Sequence, residues 1–565
     1  MRVYQAIVKG LESIGVTHAF GGAGENAASL MLALKHSSKI RAIITRHEQA
    51  ASFMACGYAM YTNRLGFCFA TAGPGAFNLF SGLAVAMSDS YPVLAVTGFS
   101  ALAWQGKGAL NETSGRSRTP NSQTMFSATT KGSFLLTDAS ETCDLLENAV
   151  NLALAGRPGP VHIHVPEDLT HPDISVENYR DICLTMDQIH PDPASVAAAA
   201  NALRVALREG KRIVALAGFG AIQSGVAPAL TDLLDQLQIP LVTTLDGKGV
   251  LPENHPLVFG LFCDSGHSTA WKLFREADVV LAIGNSFAQH ATFNFRPDLL
   301  NNKTLIHINI DPGEIDKVYR ADHAIVSDAK PAIESLAAAL RDASPPTGPL
   351  PVKHQYDSER ITHLTGKIHP GQMVQAISRR LPEGSFVLAD AGTHAAWLGY
   401  YLQLRKGQRF RKPGSFGPMA GHINGAIGLK CAYPDRHVIV GCGDGGYLLS
   451  GFELMTAVQY SIPVIWIIFN DGEFKLIKLY QLMAYDEAGL VEFTNPDYAA
   501  YARACGALGY RVQTLTDFEE VFESALKSSR PTLIDAAITR LALPHYSPSP
   551  EGVVAGLVET LEQRL

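Results

Sequence analysis

The 565-residue chain is too long for a single hydrophobic core and suits about three domains of ordinary size. Apolar residues make up 47%, enough for each domain to bury a core, and the net charge of −7 argues against a nucleic-acid-binding protein, which would carry a basic face. No apolar stretch reaches the roughly 18 residues of a membrane span, and the eight cysteines, scattered without a CxxC pair, read as free thiols of a reducing cytoplasm.

The chain opens with MRVYQAIVKGLESIGV, whose apolar spacing predicts an amphipathic helix ended by glycine. A signal peptide is not expected, because the continuous apolar core and the cleavage site are missing. Short β-branched runs then alternate with helical patterns: RAIITR at 41–46, LGFCFATAG at 65–73, YPVLAVTG at 91–98, RIVALAG at 212–218, DVVLAIG at 278–284, HVIVGCG at 437–443 and PVIWIIFND at 463–471. Continuous rather than alternating apolarity suits strands buried on both faces, which means parallel sheets covered by helices. The polar stretch 168–192 and the proline-rich stretch 343–353 read as linkers. The expected fold is α/β, with three doubly wound parallel-sheet domains at 1–172, 190–342 and 360–565.

Candidate chemistry appears in each block. Glu25 follows a glycine turn after the first strand; it either starts a helix or, if partial burial raises its pKa, moves protons. Glu48, in RHEQAASFMACGYA, opens a helix, where a carboxylate complements the dipole. In the middle block Gly218 and Gly220 follow a strand, but the GxGxxG pattern is incomplete and no ribose-binding acid is in place, so a structural role is the default. In the last block HVIVGCGDGG is a strand running into a glycine cluster and a helix. Gly443, Gly445 and Gly446 allow a tight turn and a helix start that favours phosphate. Asn470 follows Asp444 by 26 residues, at the end of the next strand. Side by side at a sheet edge, a carboxylate, an amide oxygen and a carbonyl such as that of Gly472 suit magnesium, which prefers hard oxygens.

GDG followed at this distance by Asn resembles the diphosphate–magnesium fingerprint of thiamine-diphosphate enzymes. The resemblance implies that Asp444, Asn470 and the carbonyl of Gly472 hold the metal. RHE-x-A-A resembles the glutamate segment of that family's pyrimidine-binding domain, so Glu48 is expected to bond to N1′ of the aminopyrimidine and favour its imino tautomer. By the same resemblance Met419, in SFGPMAG, props the cofactor in its V shape, and the carbonyl of Gly417 receives its 4′-amino group. Gly392, Thr393 and His394, in DAGTHAAW, touch the diphosphate. ATAGPGAFN at 70–78 also resembles the first domain, although Phe77 stands where the family has Thr or a similar residue. The middle block is similar to the central domain of acetolactate synthases and pyruvate oxidases; some relatives bind FAD there, and for this chain FAD is not expected.

Further positions bear on the reaction. Gln481, in NDGEFKLIKLYQ, matches the pattern of catabolic acetolactate synthases and, around LIKLYQ, of carboxyethylarginine synthase; it is taken as a catalytic candidate. Leu476 stands where yeast-type decarboxylases carry a glutamate, and an apolar residue there favours ligation. Arg118 aligns with a glutamine that faces the cofactor in relatives, with Gln123 close by. The usual GFGLP after Met419 is AGHIN here, so His422 and Asn424 either face substrate or satisfy nearby backbone. His545 and Tyr546 are candidate lid contacts. The resemblance implies a 2-oxo-acid decarboxylating carboligase resembling acetolactate synthase, acting on a donor such as pyruvate and a second acceptor. A 2-hydroxyacyl lyase, a non-ligating decarboxylase and a non-catalytic cofactor-binding homologue are the alternatives. It also implies a homodimer or homotetramer in which Glu48 of one subunit meets the diphosphate held by another, with no nucleic-acid or membrane partner.

Overall fold

The computed structural model describes residues 1–185, 188–345 and 367–544. His545 and Tyr546, and most of the proline-rich linker, lie outside the described residues. Three six-stranded sheets, every pairing parallel, form the framework.

The first sheet holds β1 (His18–Gly21), β2 (Arg41–Ile44), β3 (Gly66–Ala70), β4 (Val93–Phe99), β5 (Gly132–Leu135) and β6 (Pro160–Pro166), in the order β2-β1-β3-β4-β6-β5. The second holds β7 (Ile213–Ala217), β8 (Leu241–Thr243), β9 (Val258–Leu261), β10 (Val279–Ile283), β11 (Thr304–Asn309) and β12 (His323–Val326). Its order, β9-β8-β7-β10-β11-β12, is that of dinucleotide-binding doubly wound sheets. The third holds β13 (Phe386–Ala389), β14 (Arg409–Arg411), β15 (Val438–Gly443), β16 (Ile465–Asn470), β17 (Leu508–Val512) and β18 (Thr532–Ala537). Its order, β14-β13-β15-β16-β18-β17, repeats the order of the first sheet strand for strand. All seven runs read from the sequence are strands, and β3, β4, β7 and β10 are buried along their whole length, as helix-covered parallel sheets require.

The first and third sheets meet through two helices that occupy equivalent places, each following the second strand of its sheet: Glu48–Ala59 and Gly421–Ala432. Both are apolar nearly all round, which marks a helix buried on every side. Glycines let their backbones touch. A Cβ on Gly57 would sit 1.8 Å from the carbonyl oxygen of Gly425, and one on Gly428 would sit 1.8 Å from that of Met54. Arg411, only 3% exposed, ends β14 at the meeting point of all three blocks. Its guanidinium bonds Asp246 at 2.8 Å and the Tyr91 hydroxyl at 3.0 Å, pairs with Asp89 at 3.2 Å, and lies 3.8 Å from the centre of the Phe219 ring. A cavity of about 1980 Å³ opens beside it. The cavity runs from the carboxyl ends of β7 and β10, at Gly218 and Gly284, to Gly392, Gly417 and Leu476 of the third block.

A polar seam crosses the interior of the first sheet. His162 and His164 on β6 are fully buried, and Thr97 bridges them at 2.9 and 3.1 Å. Ser133 and Ser122 satisfy the remaining ring nitrogens at 3.0 and 3.2 Å. Burial holds both imidazoles neutral, lowering His164 to about 3.

Two outcomes follow from this packing. Gly57→Ala forces a methyl into backbone and should lower stability by about 3 kcal/mol or more in urea unfolding. His162 and His164 stay unprotonated when folded but take up protons near pH 6.5 when unfolded, so their contribution is full above 6.5 and lost as pH falls toward 3. A His162→Gln/His164→Asn double variant should therefore lose less stability than the parent between those pH values; equal slopes of unfolding free energy against pH would contradict this.

Candidate active site

β15 and β16 pair in parallel with Gly443 opposite Phe469, so Asp444 and Asn470 leave the sheet together at its carboxyl edge. Asp444 is 2% exposed and opens the helix Asp444–Ser450. Its Oδ1 accepts the Gly445 N–H at 2.9 Å, and its Oδ2 accepts the Gly472 N–H and Asn495 Nδ2, each at 2.7 Å. Asn495 Nδ2 also donates to Asn470 Oδ1 at 2.9 Å. The Tyr498 hydroxyl lies 2.8 Å from Asn495 Oδ1 and 3.1 Å from the Asp444 carbonyl. On its far side Asn470 donates Nδ2 to Asp535 Oδ1 at 2.7 Å. Burial pushes the Asp444 carboxyl up, and the Asn495 and Gly472 donors draw it back. Burial also raises Asp471 to about 7, with the neighbouring Asp444 adding to the effect.

The pair fits magnesium in its chemistry: two hard oxygens, one formally charged, converge on a single amide NH₂. The third expected ligand is placed differently. The Gly472 carbonyl accepts from the Phe493 N–H at 3.2 Å and from Arg540 Nη2 at 3.3 Å, and it is the Gly472 N–H that faces Asp444. The cause is a short antiparallel pairing of 472–474 with 491–493, which turns that peptide outward. The glycines of the turn are constrained by packing as well as by any ligand. A Cβ on Gly445 would lie 2.4 Å from the Phe474 ring, and one on Gly446 would lie 3.0 Å from Asp390.

Asp390, fully buried, directly follows the neighbouring strand β13 and accepts the Ala420 N–H at 2.7 Å and the His422 N–H at 3.2 Å. It thereby fixes the start of the helix Gly421–Ala432 and the segment carrying Gly417 and Met419. Burial raises its carboxyl to about 7. Gly417, at φ +61°, needs glycine, whereas Ala420 is held at φ +70° despite its side chain, at a cost of about 1–2 kcal/mol. Gly392 and Thr393 begin the next helix. Buried His394 lies near Gly443, and its Nε2 finds no partner among the described residues, an orphan of the kind a phosphate oxygen satisfies. Burial lowers its imidazole to about 4.

Glu48 is half-buried at the start of its helix, beside the N-cap His47. Asn78 Nδ2 donates to its Oε2 at 2.9 Å. The carboxyl lies in a glycine cradle, where a Cβ on Gly22 or Gly75 would come within 2.7 or 3.0 Å of Oε1. The backbone N–H groups of Arg46 and His47 both donate to Glu453 at 2.9 Å. Glu453 lies in the short 3₁₀ turn that follows the helix Asp444–Ser450.

Other expected positions stand apart from this arrangement. Glu25 is exposed, without the partial burial on which its proton-moving alternative depends. Arg118 is exposed at φ +63° in the segment 100–121, while Gln123 donates to the Ser133 carbonyl at 2.6 Å. Gln481, the catalytic candidate, bonds the backbone of Gly489 through both ends of its amide, at 3.2 and 3.1 Å. His422 and Asn424 turn inward and bond nearby backbone, the second of their two expected alternatives, while His422 Nε2 and Asn424 Oδ1 find no partner among the described residues. His422 Nδ1 bonds the Ala389 carbonyl at 2.7 Å, and Asn424 Nδ2 bonds Ser450 at 2.7 Å and the Ala420 carbonyl at 3.2 Å, because the close helix crossing buries both. Leu476 is 45% exposed and lines the large cavity. Sequence reasoning passed over Asn78, Asp390, Asn495 and Asp535. A lone acid in the apolar run PTLIDAA was a signal for Asp535; Asn495, in a loop, offered none.

Comparison with known proteins agrees block by block. Residues 1–117 match the N-terminal TPP binding domain of thiamine pyrophosphate enzymes, 199–336 their central domain, and 390–536 their C-terminal TPP binding domain. The chain is 33% identical to a probable acetolactate synthase large subunit of Methanocaldococcus jannaschii, over 97% of this chain and 94% of that protein. It is 30% identical to an acetolactate synthase of Arthrospira platensis, over 95% and 94%. It is 29% identical to the acetolactate synthase isozyme 3 large subunit of Escherichia coli, over 93% and 92%. With all three blocks matched and a relative 33% identical over nearly the whole chain, the chain belongs to the thiamine pyrophosphate enzyme family.

Proposed function

We propose that the chain is a thiamine-diphosphate-dependent carboligase of the acetolactate synthase kind, which decarboxylates a 2-oxo acid such as pyruvate and joins its acyl part to a second carbonyl compound. The convergence of the Asp444 and Asn470 oxygens carries this reading, supported by full-length similarity to acetolactate synthases. When bound, the coenzyme supplies a nucleophilic carbon that adds to a carbonyl and takes up the electrons left by departing carbon dioxide. Asp444 and Asn470 would hold magnesium and, through it, the diphosphate. The 443–446 turn and His394 would meet its remaining oxygens. Glu48 would exchange a proton with N1′ of the aminopyrimidine, and Gly417 and Met419 would orient that ring. Leu476, apolar and lining the cavity, would offer no proton to the reacting carbon, which favours ligation over aldehyde release.

The assembly we propose is a homodimer or homotetramer in which Glu48 of one subunit would meet the diphosphate held by another; within the chain the residues just before Glu48 are tied to Glu453, past the end of the helix Asp444–Ser450. A band of exposed apolar side chains beside the metal site supports a subunit interface there: Leu448, Leu449, Ile477, Tyr480 and Met483. All eight cysteines are free, which suits a reducing cytoplasm. Among the described residues no helix is long and apolar enough to cross a membrane.

Glu48→Gln should leave binding of magnesium and thiamine diphosphate intact while slowing carbon dioxide release from pyruvate by about 10²–10⁴-fold; unchanged turnover would reject the assignment. The parent enzyme given pyruvate should yield an acetohydroxy acid, and acetaldehyde as the sole product would favour simple decarboxylation. The incomplete glycine fingerprint at Gly218 and Gly220 leads us to expect catalysis without flavin. Purified protein should release no flavin fluorescence on denaturation, and stoichiometric FAD in the supernatant would contradict this.

A further inference from the structure

Asp535 stands in the middle of β18, 0% exposed, in a strand otherwise made of apolar and small residues. Its Oδ1 accepts Asn470 Nδ2 at 2.7 Å, and its charge is matched by Arg511 Nη1 at 3.6 Å. Its Oδ2 has no hydrogen-bond partner among the described residues. A buried carboxylate is costly unless it is used, and here its one close bond goes to a side chain whose other end faces Asp444.

An amide has two unlike ends. Only its oxygen can bind a hard cation, and its NH₂ can only donate. An ionised carboxylate accepts and never donates, so Asp535 admits only the NH₂ end of Asn470. The Oδ1 end is thereby committed to the side where Asp444 Oδ2 lies, and the two hydrogens of Asn495 Nδ2 span both oxygens there, at 2.7 and 2.9 Å. Asn495 is held in turn by the Tyr498 hydroxyl at 2.8 Å. We propose that Asp535 is a positioning residue that fixes the Asn470 amide with its oxygen toward Asp444, and so sets the affinity of the site for a divalent cation. This rests on the thiamine-diphosphate reading of the site. Groups of this kind, one shell behind the ligands, typically change metal affinity 10–100-fold.

The test is direct binding of Mn²⁺ to the full-length protein in the presence of thiamine diphosphate, followed by the electron paramagnetic resonance of free manganese. Asp535→Asn should weaken Mn²⁺ binding by about 10–100-fold, because Asn470 is then free to turn its NH₂ toward the cation. The exchanged pair, Asn470→Asp with Asp535→Asn, keeps the atoms and the net charge, restores the donor–acceptor match and should recover most of the lost affinity. Affinity equal to the parent in Asp535→Asn overturns the proposal, as does an exchanged variant that binds no better than Asp535→Asn. Where Asp535→Asn fails to fold by circular dichroism, the exchanged variant decides alone: near-parental affinity supports the proposal and loss of binding overturns it. Parent protein that binds neither Mn²⁺ nor thiamine diphosphate would reject the coenzyme reading instead, so the two failures are distinguishable.

Discussion

One buried guanidinium joins the three blocks. Arg411 reaches Asp89 and Tyr91 in the first, Asp246 in the second, and belongs itself to the third. A buried ion pair adds little net stability, because desolvation offsets the attraction. Removing one partner is another matter, since the charges left behind have neither water nor a mate; such losses cost about 3–5 kcal/mol. The value of Arg411 therefore lies in specifying an arrangement. Just after it the chain passes through Gly414, whose N–H Asp89 accepts at 3.2 Å, and Phe416, whose N–H Ser88 accepts at 3.2 Å. The segment that presents Gly417 and Met419 is thus aligned on the first block before any coenzyme arrives.

The same economy appears around Asp444, Asn470 and Glu48, whose surroundings are oriented by neighbouring polar residues. Asp390 ties Ala420 and His422 to the end of β13, Asn495 spans Asp444 and Asn470, and Asn78 steadies Glu48. Each is an acceptor–donor match that leaves a functional group one orientation. Preorganisation of this kind lowers the cost of assembling a charged site, because the dipoles need not reorganise when the ligand enters.

Much of this was legible in the sequence. Continuous apolar runs announced parallel strands, since a strand buried on both faces has no polar side to alternate. Asp444 and Asn470 were readable because two consecutive strands of a parallel sheet end at one edge, and spacing alone brings them together. Where sequence reasoning fell short, the deciding partner came from far along the chain. The Gly472 carbonyl is turned outward by a pairing with residues beyond 490. For His422 and Asn424 the sequence left ligand and backbone as alternatives, and the helix that buries them against backbone lies over 360 residues earlier. Gln481 is drawn off by Gly489, through a turn that has no periodicity.

The contact between the helices Glu48–Ala59 and Gly421–Ala432 has a mechanical consequence. Where side chains separate two helices, rotamer changes give the joint some compliance. At Gly57 and Gly428 carbonyl oxygens fill the space a methyl would need, so nothing can yield. The first and third sheets are accordingly locked together at this crossing, without the compliance that interleaved side chains would give.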